Sequence, residues 1–273
     1  MKTIKCGLAL TAALVLGAGC FDVEQGVKLQ PDMSGEASLR VEVDMEAMIK
    51  IMATLKRKFE DKEGDPTAEE MEQARKEYLE ESKRDEEKDA TEFAKKKKQL
   101  EEKLPQGVTL KTAEMTSEGF KKRVTMTFAF DHISKLKDIE FPADEDEEMD
   151  GAGPGGPQEP LQRPFEGFEV KETAETVELK IKPANPAKEE KPEGEEGEGG
   201  QPDIPGLQEM VKAARSSLKV AFKIESPLEV VKHNATEQKG ATLVWTYDLE
   251  KLEQLEKAAA DAKPIEVTFK KVK

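Results

Sequence analysis

The stretch ASLRVEVD (Ala37–Asp44) alternates apolar and polar side chains over eight residues. Because successive side chains of a strand point to opposite faces, this alternation predicts a half-buried β-strand. A turn precedes it, since Pro31 fixes φ and Gly35 can adopt a positive φ. Another strand begins at Gly26 on the far side of this turn. The stretch therefore predicts a β-hairpin.

The same alternation recurs along the chain. It predicts a second hairpin within residues 108–130, a third within 165–183, and later strands at 218–224, 243–247 and 265–269. Three strands run into an aspartate followed by a helical pattern, at Asp44, Asp131 and Asp248, and aspartate is a favoured helix N-cap. These features predict an α+β fold, with one antiparallel sheet of hairpins and short packed helices.

A long charged insertion occupies residues 61–104. Thr67 and Glu70 have the spacing of a capping box, which predicts that a helix begins there. Read as one helix, Thr67–Lys103 would be about 55 Å long. Alternatively the helix breaks near Asp85 and folds back as a hairpin. The run Lys95–Lys98 is interpreted as a solvated helix face, because Glu92, Glu101 and Glu102 offset its charge.

The composition limits which domain organisation and which binding partners are compatible with the chain. The 273 residues carry a formal net charge of -15, and only 5% are aromatic. No nucleic-acid partner is predicted, because phosphate binding needs a net positive surface. We interpret residues 26–273 as one domain, with the helical insertion and two disordered acidic loops at 142–164 and 184–205. Residues 146–157 imitate a calcium loop, but Pro157 stands where a glutamate ligand is required, so no metal site is predicted.

The N-terminus has the pattern of an export signal. Lys2 and Lys5 precede an apolar run that is too short to span a bilayer, which is typical of a cleaved signal peptide over residues 1–19. The end of this run resembles the lipobox of bacterial lipoproteins: Ala18, Gly19 and Cys20 match, and Gly17 departs from the usual leucine.

That resemblance implies that Cys20 becomes the first mature residue and carries a diacylglyceryl thioether and an amide-linked acyl chain. Cys6 lies in the signal, so the mature chain would hold one cysteine. We expect a lipidated tether at residues 20–25 and anchoring to a membrane of the cell envelope, because two or more acyl chains anchor stably. Whether that membrane is the inner or the outer one stays open.

Two blocks resemble the LppM-type bacterial lipoprotein domain. The first is Cys20–Asp44, with its hairpin turning on Asp32-Met33-Ser34-Gly35. The second is Pro227–Leu255, in which Lys232-His233-Asn234-Ala235 precedes Leu243-Val244-Trp245 and a Leu-rich helix. The resemblance implies a curved antiparallel sheet with packed helices, and suggests lipid or glycolipid binding. It transfers no site residues.

The residues indicate a binding protein and not an enzyme. His132 and His233 are the two histidines of the chain, so nucleophilic catalysis has few partners. No cofactor is predicted. We predict a lipid or other hydrophobic ligand in a groove walled by Met126, Phe128, Phe130, Phe222, Trp245 and Tyr247, the alternative being that these side chains are plain core. The alternative function is a structural or assembly lipoprotein that contacts an envelope protein through the charged helix.

Overall fold

The computed structural model describes residues 20–60, 62, 64–142, 163–165, 167–182, 218–248, 250–251 and 264–271. These residues form two α-helices, α1 (Glu46–Phe59) and α2 (Ala68–Lys103), and one 3-10 helix, Ile133–Asp138. They also form the strands β1 (Cys20–Leu29), β2 (Gly35–Asp44), β3 (Val108–Glu118), β4 (Lys121–Phe130), β5 (Phe168–Glu172), β6 (Thr176–Ile181), β7 (Lys219–Glu225), β8 (Val230–His233), β9 (Glu237–Lys239), β10 (Thr242–Asp248) and β11 (Ile265–Lys270).

The strands build two sheets. The large sheet has seven strands in the order β3-β4-β2-β1-β7-β10-β9, and the small sheet has four in the order β5-β6-β11-β8. The three predicted hairpins are present as β1–β2, β3–β4 and β5–β6. The predicted α+β class is therefore confirmed.

The sheet arrangement differs from the single antiparallel sheet that the sequence predicts. β1 and β7 pair in parallel, and β5, β6, β8 and β11 leave the large sheet to form the second one. The physical reason is burial. The large sheet has one apolar face, and a second apolar sheet packed against it buries both.

The core lies between the two sheets. One face of the large sheet, here called the inner face, carries the odd-numbered residues of β1 and β2 and the even-numbered residues of β4 and β7. The small sheet contributes Val177, Leu179 and Ile181 from β6 to the same core. The opposite, outer face of the large sheet is predominantly polar, which is the usual state of a sheet covered on one side.

The charged insertion is one continuous helix and not a hairpin. α2 has 36 residues, and the predicted capping box of Thr67 and Glu70 is present at its start. At 1.5 Å per residue it is about 54 Å long. Arg57 Nη1 of α1 lies 2.7 Å from Glu70 Oε2 of α2, and Lys56 Nζ lies 3.1 Å from Glu77 Oε1. The two helices therefore pack side by side.

Some predicted boundaries were wrong. β1 begins at Cys20 and not at Gly26, because residues 20–25 pair with β2 and there is no separate tether among them. Asp131 does not cap the helix after β4. The cap is His132, whose side chain accepts a hydrogen bond from the backbone N–H of Ser134, while Asp131 Oδ2 binds Lys135 Nζ at 3.0 Å.

Several predictions lie outside the described residues. They are the signal peptide at 1–19, the helix near 207–214, and most of the helix after Asp248. The two acidic loops also lie outside, apart from Pro142, Arg163, Pro164 and their described flanks. Asp248 itself accepts a hydrogen bond from the backbone N–H of Lys251 at 2.9 Å, as a helix cap does.

Candidate functional site

The two ends of the inner face differ in how far they are covered. At the end where β1 terminates, here called the Leu29 end, Leu29, Val108 and Phe130 are buried. At the opposite end, here called the Cys20 end, Val41, Val43 and Val124 are only half-buried. On β2, β4 and β3, burial of the inner face thus decreases toward the row in which Cys20, Asp44, Lys121 and Glu118 are cross-strand neighbours. On β1 and β7, Val23 and Val220 stay buried near the same row.

One corner of the inner face carries several half-buried apolar residues. It spans β2, β4 and β3 at the Cys20 end, and we call it the corner patch. Its members are half-buried apolar residues, namely Val41, Val43, Val124, Met126, Ala113 and Met115. Cross-strand pairing places Met115 beside Val124, and Val124 beside Val41. These residues therefore form one contiguous apolar surface.

The helix α2 runs beside the β3–β4 hairpin, and Met115 is the corner-patch residue that faces the space between them. A cavity of about 180 Å³ lies between them, lined by Leu79, Ser82, Lys83, Glu86 and Asp89 of α2 and by Met115, Ser117 and Gly119 of the β3–β4 hairpin. That volume corresponds to about six water molecules. Two of the eight lining residues, Leu79 and Met115, have apolar side chains.

The contacts that hold α2 change along its length. Near its C-terminal end, Leu100 is 1% exposed and belongs to the main core. It is the only buried residue of α2, all of which the structure describes. Further toward the N-terminus, Asp89 Oδ2 binds Lys122 Nζ at 2.8 Å, and the rings of Tyr78 and Phe120 lie 6.0 Å apart. The helix is fixed at one end and held by polar and marginal contacts over the corner patch.

All six predicted groove residues lie on the inner face, but they differ in how far they are buried. Phe128, Phe130, Phe222 and Trp245 are at most 4% exposed. Met126 and Tyr247 are half-buried and pack against the core. Burial raises the pKa of Tyr247 to about 12. Of the six, Met126 lies in the corner patch.

A chain of aromatic contacts fills the space between the sheets at Phe222 and Trp245. The ring centroids of Phe165 and Phe168 are 5.6 Å apart, and those of Phe168 and Phe222 are also 5.6 Å apart. Phe222 in turn lies 6.1 Å from Trp245. Edge-to-face contacts at these distances stabilise a closed core. This part of the inner face is occupied by the protein's own side chains.

The outer face at the Cys20 end carries an ionic cluster around Glu42. Glu42 Oε2 accepts hydrogen bonds from Arg40 Nη2 at 2.7 Å and from Arg123 Nε at 2.8 Å. Lys121 Nζ lies 3.6 Å from the other carboxylate oxygen. The bonds from Arg40 and Arg123 lower the pKa of Glu42 to about 2. Polar contacts on the outer face thus join β2 to β4 where the inner face is loosely covered.

His132 is part of a hydrogen-bonded array between the sheets. Its Nδ1 lies 2.7 Å from Ser134 Oγ, and its Nε2 lies 2.8 Å from Glu172 Oε1. Lys271 Nζ lies 2.6 Å from Glu172 Oε2. A serine, histidine and carboxylate in sequence have the composition of a hydrolytic triad. Here the imidazole Nδ1 also accepts from the backbone N–H of Ser134 at 3.3 Å, which gives it the role of a helix cap.

The second histidine adjoins a polar hub centred on Asn234. Asn234 Oδ1 accepts from Trp245 Nε1 at 2.8 Å and from the backbone N–H of Glu266 at 2.9 Å. Its Nδ2 donates to the Pro264 carbonyl at 2.7 Å. His233 Nδ1 accepts from the backbone N–H of Ala235 at 3.1 Å. Because Trp245 lies in the large sheet and Glu266 in the small one, Asn234 joins the two sheets.

The described residues offer neither a metal site nor a membrane-spanning helix. They contain no group of three or more His, Cys, Asp or Glu side chains that could hold a metal ion. Neither described helix combines the length and the apolar character that crossing a membrane requires.

Comparison with known proteins gives one structural similarity. No protein-family model and no curated protein matches the chain. The chain is similar to the folded domain of the Mycobacterium tuberculosis LppM protein, solved by NMR, over 93% of this chain and 90% of that domain. The TM-score is 0.39 and the sequence identity is 7%. A similarity of this size assigns neither a family nor a function.

Sequence reasoning found one member of the corner patch and missed the others. The alternation in β3 and β4 identifies the inward-facing residues, but it carries no signal for where a second layer stops covering them. The corner patch is incompletely covered because the α2 segment from Ser82 to Asp89, which passes β3, has only polar side chains. A polar helical segment beside an apolar hairpin is the sequence signal that could have indicated this incomplete coverage.

Proposed function

We propose that the protein is a membrane-anchored lipoprotein of the cell envelope that binds a hydrophobic molecule without catalysing a reaction. The signal-like residues 1–19 and the lipobox-like end at Cys20 support the anchor. The observation that carries the binding role is the half-buried corner patch, which lies at the same end of the large sheet as Cys20. A ligand bound there would be close to the membrane surface.

The anchor is tested by processing and fractionation. Globomycin, which blocks lipoprotein signal cleavage, should cause the unprocessed precursor to accumulate. Cys20→Ser should yield an exported protein that is released from membranes by salt washes. Cys6→Ser is the matched control, because this cysteine lies in the predicted signal, and it should leave the protein membrane-bound. A Cys20→Ser protein that stays on membranes after salt washing would contradict the proposed anchor.

The binding role is tested by native mass spectrometry of the full-length protein after gentle detergent extraction. We expect the protein to retain a hydrophobic molecule that is lost under denaturing conditions. Val124→Asp places a charge in the corner patch and should abolish retention, because an unpaired carboxylate is costly beside apolar groups. Thr125→Asp changes the neighbouring residue, which faces the opposite side of β4, and should retain the ligand. Equal retention by both variants would contradict binding at the corner patch.

A second candidate function is supported by the surface of α2. Of its 36 residues, 13 are acidic and 10 are basic, and its side away from the body is exposed. Such a helix can contact an envelope protein through charged side chains. Lys95→Glu with Lys98→Glu should then release a co-purifying protein, whereas Lys171→Glu on the small sheet should not. If the α2 variant retains the same proteins as the parent, this function is excluded.

A further inference from the structure

We propose that the Cys20 end of the protein rests directly on a phospholipid bilayer, and that α1 lies in its interface with Met52 and Phe59 inserted among the lipid head groups. This inference rests on the lipid anchor proposed above. It adds the orientation of the body relative to the membrane, and a second contact with the bilayer that is made by protein side chains.

The first observation is that the sheet begins at the residue of the proposed anchor. Cys20 is the first residue of β1 and the cross-strand neighbour of Asp44, so no free residues separate the anchor from the sheet. Paired α-carbons of antiparallel strands are about 5 Å apart. When the acyl chains of Cys20 lie in a bilayer, Asp44 is therefore held close to the membrane surface. The end of the sheet that carries both residues faces the membrane.

The second observation is where α1 starts. The helix begins at Glu46, two residues after Asp44. The backbone N–H of Met45 donates to the carbonyl of Phe120 in the β3–β4 turn at 2.8 Å, which fixes the start of the helix beside this turn. Because the β3–β4 turn adjoins the row of Cys20 and Asp44, α1 starts at the same end of the sheet as the proposed anchor.

The path of α2 shows that α1 lies beyond this end of the sheet. α2 extends from Leu100, which is buried in the core, to Tyr78, whose ring lies 6.0 Å from that of Phe120. Residues 68–77 continue the helix for about 15 Å past the turn. The ion pairs of α1 are made with this continuing segment, namely Arg57–Glu70, Lys56–Glu77 and Arg75–Glu46. α1 therefore lies on the side of the sheet that faces the membrane.

The third observation is the exposed apolar surface of α1. Three large apolar side chains are exposed among the described residues, and two of them belong to α1, Met52 at 44% and Phe59 at 79%. Phe59 follows Met52 by about two helical turns, so both lie on the same side of the helix. Lys56 lies between them and is exposed as well. Apolar side chains with a basic residue among them are typical of a helix that lies in the membrane interface.

The charge of α1 suits a membrane surface. The helix holds four basic residues and one acidic residue, in a chain whose formal net charge is -15. Basic residues of an interfacial helix are attracted to anionic lipids. Lys56 and Arg57 also pair with Glu77 and Glu70 of α2, which reduces this attraction. The apolar side chains therefore supply the main contact, and the basic residues keep an acidic protein from being repelled there.

The test places one fluorescent label on the lipidated, full-length mature protein. Phe59→Cys supplies a single free thiol, because the sulfur of Cys20 is in the proposed thioether and Cys6 leaves with the signal peptide. The label is a nitrobenzoxadiazole group. The vesicles consist of phosphatidylethanolamine and phosphatidylglycerol, with a spin-labelled phospholipid that quenches a label located in the bilayer. Met52→Cys, on the same side of α1, is a second variant that is measured in the same way.

The matched control is Val231→Cys. Val231 is the third exposed large apolar residue, at 57%, and it lies in β8 of the small sheet. It is two residues from Glu229, which pairs with Lys270, and the adjacent Lys271 pairs with Glu172 at the Leu29 end. The control therefore has the same chemistry at the opposite end of the protein. The emission of Trp245 should be that of the parent in every variant, which shows that each one is folded.

We expect all labelled proteins to float with the vesicles, and quenching by the spin-labelled lipid to be at least about threefold stronger for Phe59→Cys than for Val231→Cys. Equal or weaker quenching of both α1 variants in protein that still floats would overturn the contact of α1 and leave the anchor intact. An intact mass with two labels on the Phe59→Cys protein would show that Cys20 carries a free thiol, and would instead overturn the anchor.

Discussion

The Leu29 end and the Cys20 end of the large sheet are built from the same strands, yet they are stabilised differently. At the Leu29 end, apolar side chains of the small sheet cover the inner face, and Phe128 and Phe165 are completely buried. At the Cys20 end, β2, β3 and β4 carry half-buried apolar side chains on the inner face, and the ion pairs of Glu42 lie on the outer face.

The two ends of the sheet therefore have different proposed roles, one in stability and the other in binding. The buried apolar area at the Leu29 end supplies the stability, since hydrophobic burial is the dominant favourable term in folding. On β2, β3 and β4 the Cys20 end is held partly by polar contacts, which can be exchanged at lower cost. A binding site is better placed at the less stable end than in the closed core.

The largest change in stability is expected for a substitution at the well-packed Leu29 end. Phe128→Ala should lower the free energy of unfolding by about 3–5 kcal/mol, because it removes a fully buried ring and leaves a cavity. The corresponding change in the corner patch, Val124→Ala, should cost about 1 kcal/mol, because that side chain is already half-exposed. Urea denaturation of both variants measures the difference. Similar losses would show that the two ends do not differ in stability.

A smaller effect is expected where the two sheets are joined. Asn234→Ala removes the acceptor of Trp245 Nε1 and of the Glu266 N–H, and should cost about 2 kcal/mol by leaving both donors unpaired. Gln238→Ala is the control, since its exposed side chain makes one long hydrogen bond of 3.4 Å. Trp245 is the only tryptophan, so its fluorescence reports the loss of sheet contact directly. An unchanged denaturation midpoint for Asn234→Ala would show that Asn234 does not stabilise the contact between the two sheets.

The ionic cluster at the Cys20 end predicts a pH dependence. The pKa of Glu42 is about 2 in the folded protein against an ordinary value of 4.5. The stabilisation from Glu42 is therefore complete above about pH 4.5 and is lost as the pH falls toward 2. Glu42→Gln should remove about 1–2 kcal/mol at pH 7 and flatten this part of the pH profile. Glu36→Gln, an exposed residue of the same strand, should leave the profile unchanged.

The smallest effect is expected for the Glu172 array at the Leu29 end. Lys271 and then His132 lower the pKa of Glu172, so its contribution is present at neutral pH and is lost on acidification below its unfolded pKa. Glu172→Gln should cost less than about 1 kcal/mol, because all three side chains are about one-third exposed. Thermal denaturation at pH 7 and pH 3 measures this. A loss larger than that of Glu42→Gln would reverse the proposed roles of ionic contacts at the two ends.

The strands were largely predictable because their signal is local. Period-two alternation identified β2 and β4, and the capping box at Thr67 fixed the start of α2. The sequence left the continuity of α2 open, because no apolar residue lies between Ser82 and Asp89 to indicate a packed face. In the structure the helix continues through this segment, supported by backbone hydrogen bonds and by tertiary contacts on either side of it.

The sheet partners were not predictable from local pattern. The pairing of β1 with β7 joins Asp22 to Lys219, almost 200 residues apart, and the alternation of either strand does not specify its partner. For the same reason, the six aromatic and apolar residues predict a groove that does not account for the side chains of the small sheet. Phe165 and Phe168 occupy part of the space that it needs, and they come from a different hairpin.

The position of β1 has a mechanical consequence. It is the middle strand of the seven, hydrogen-bonded to β2 on one side and to β7 on the other. A force applied at Cys20 acts along β1 and shears the hydrogen bonds to β2 and to β7 at the same time. These hydrogen bonds then share the load and do not break one after another. A force transmitted from a bilayer through the proposed anchor would thus act on a strand that is hydrogen-bonded on both sides.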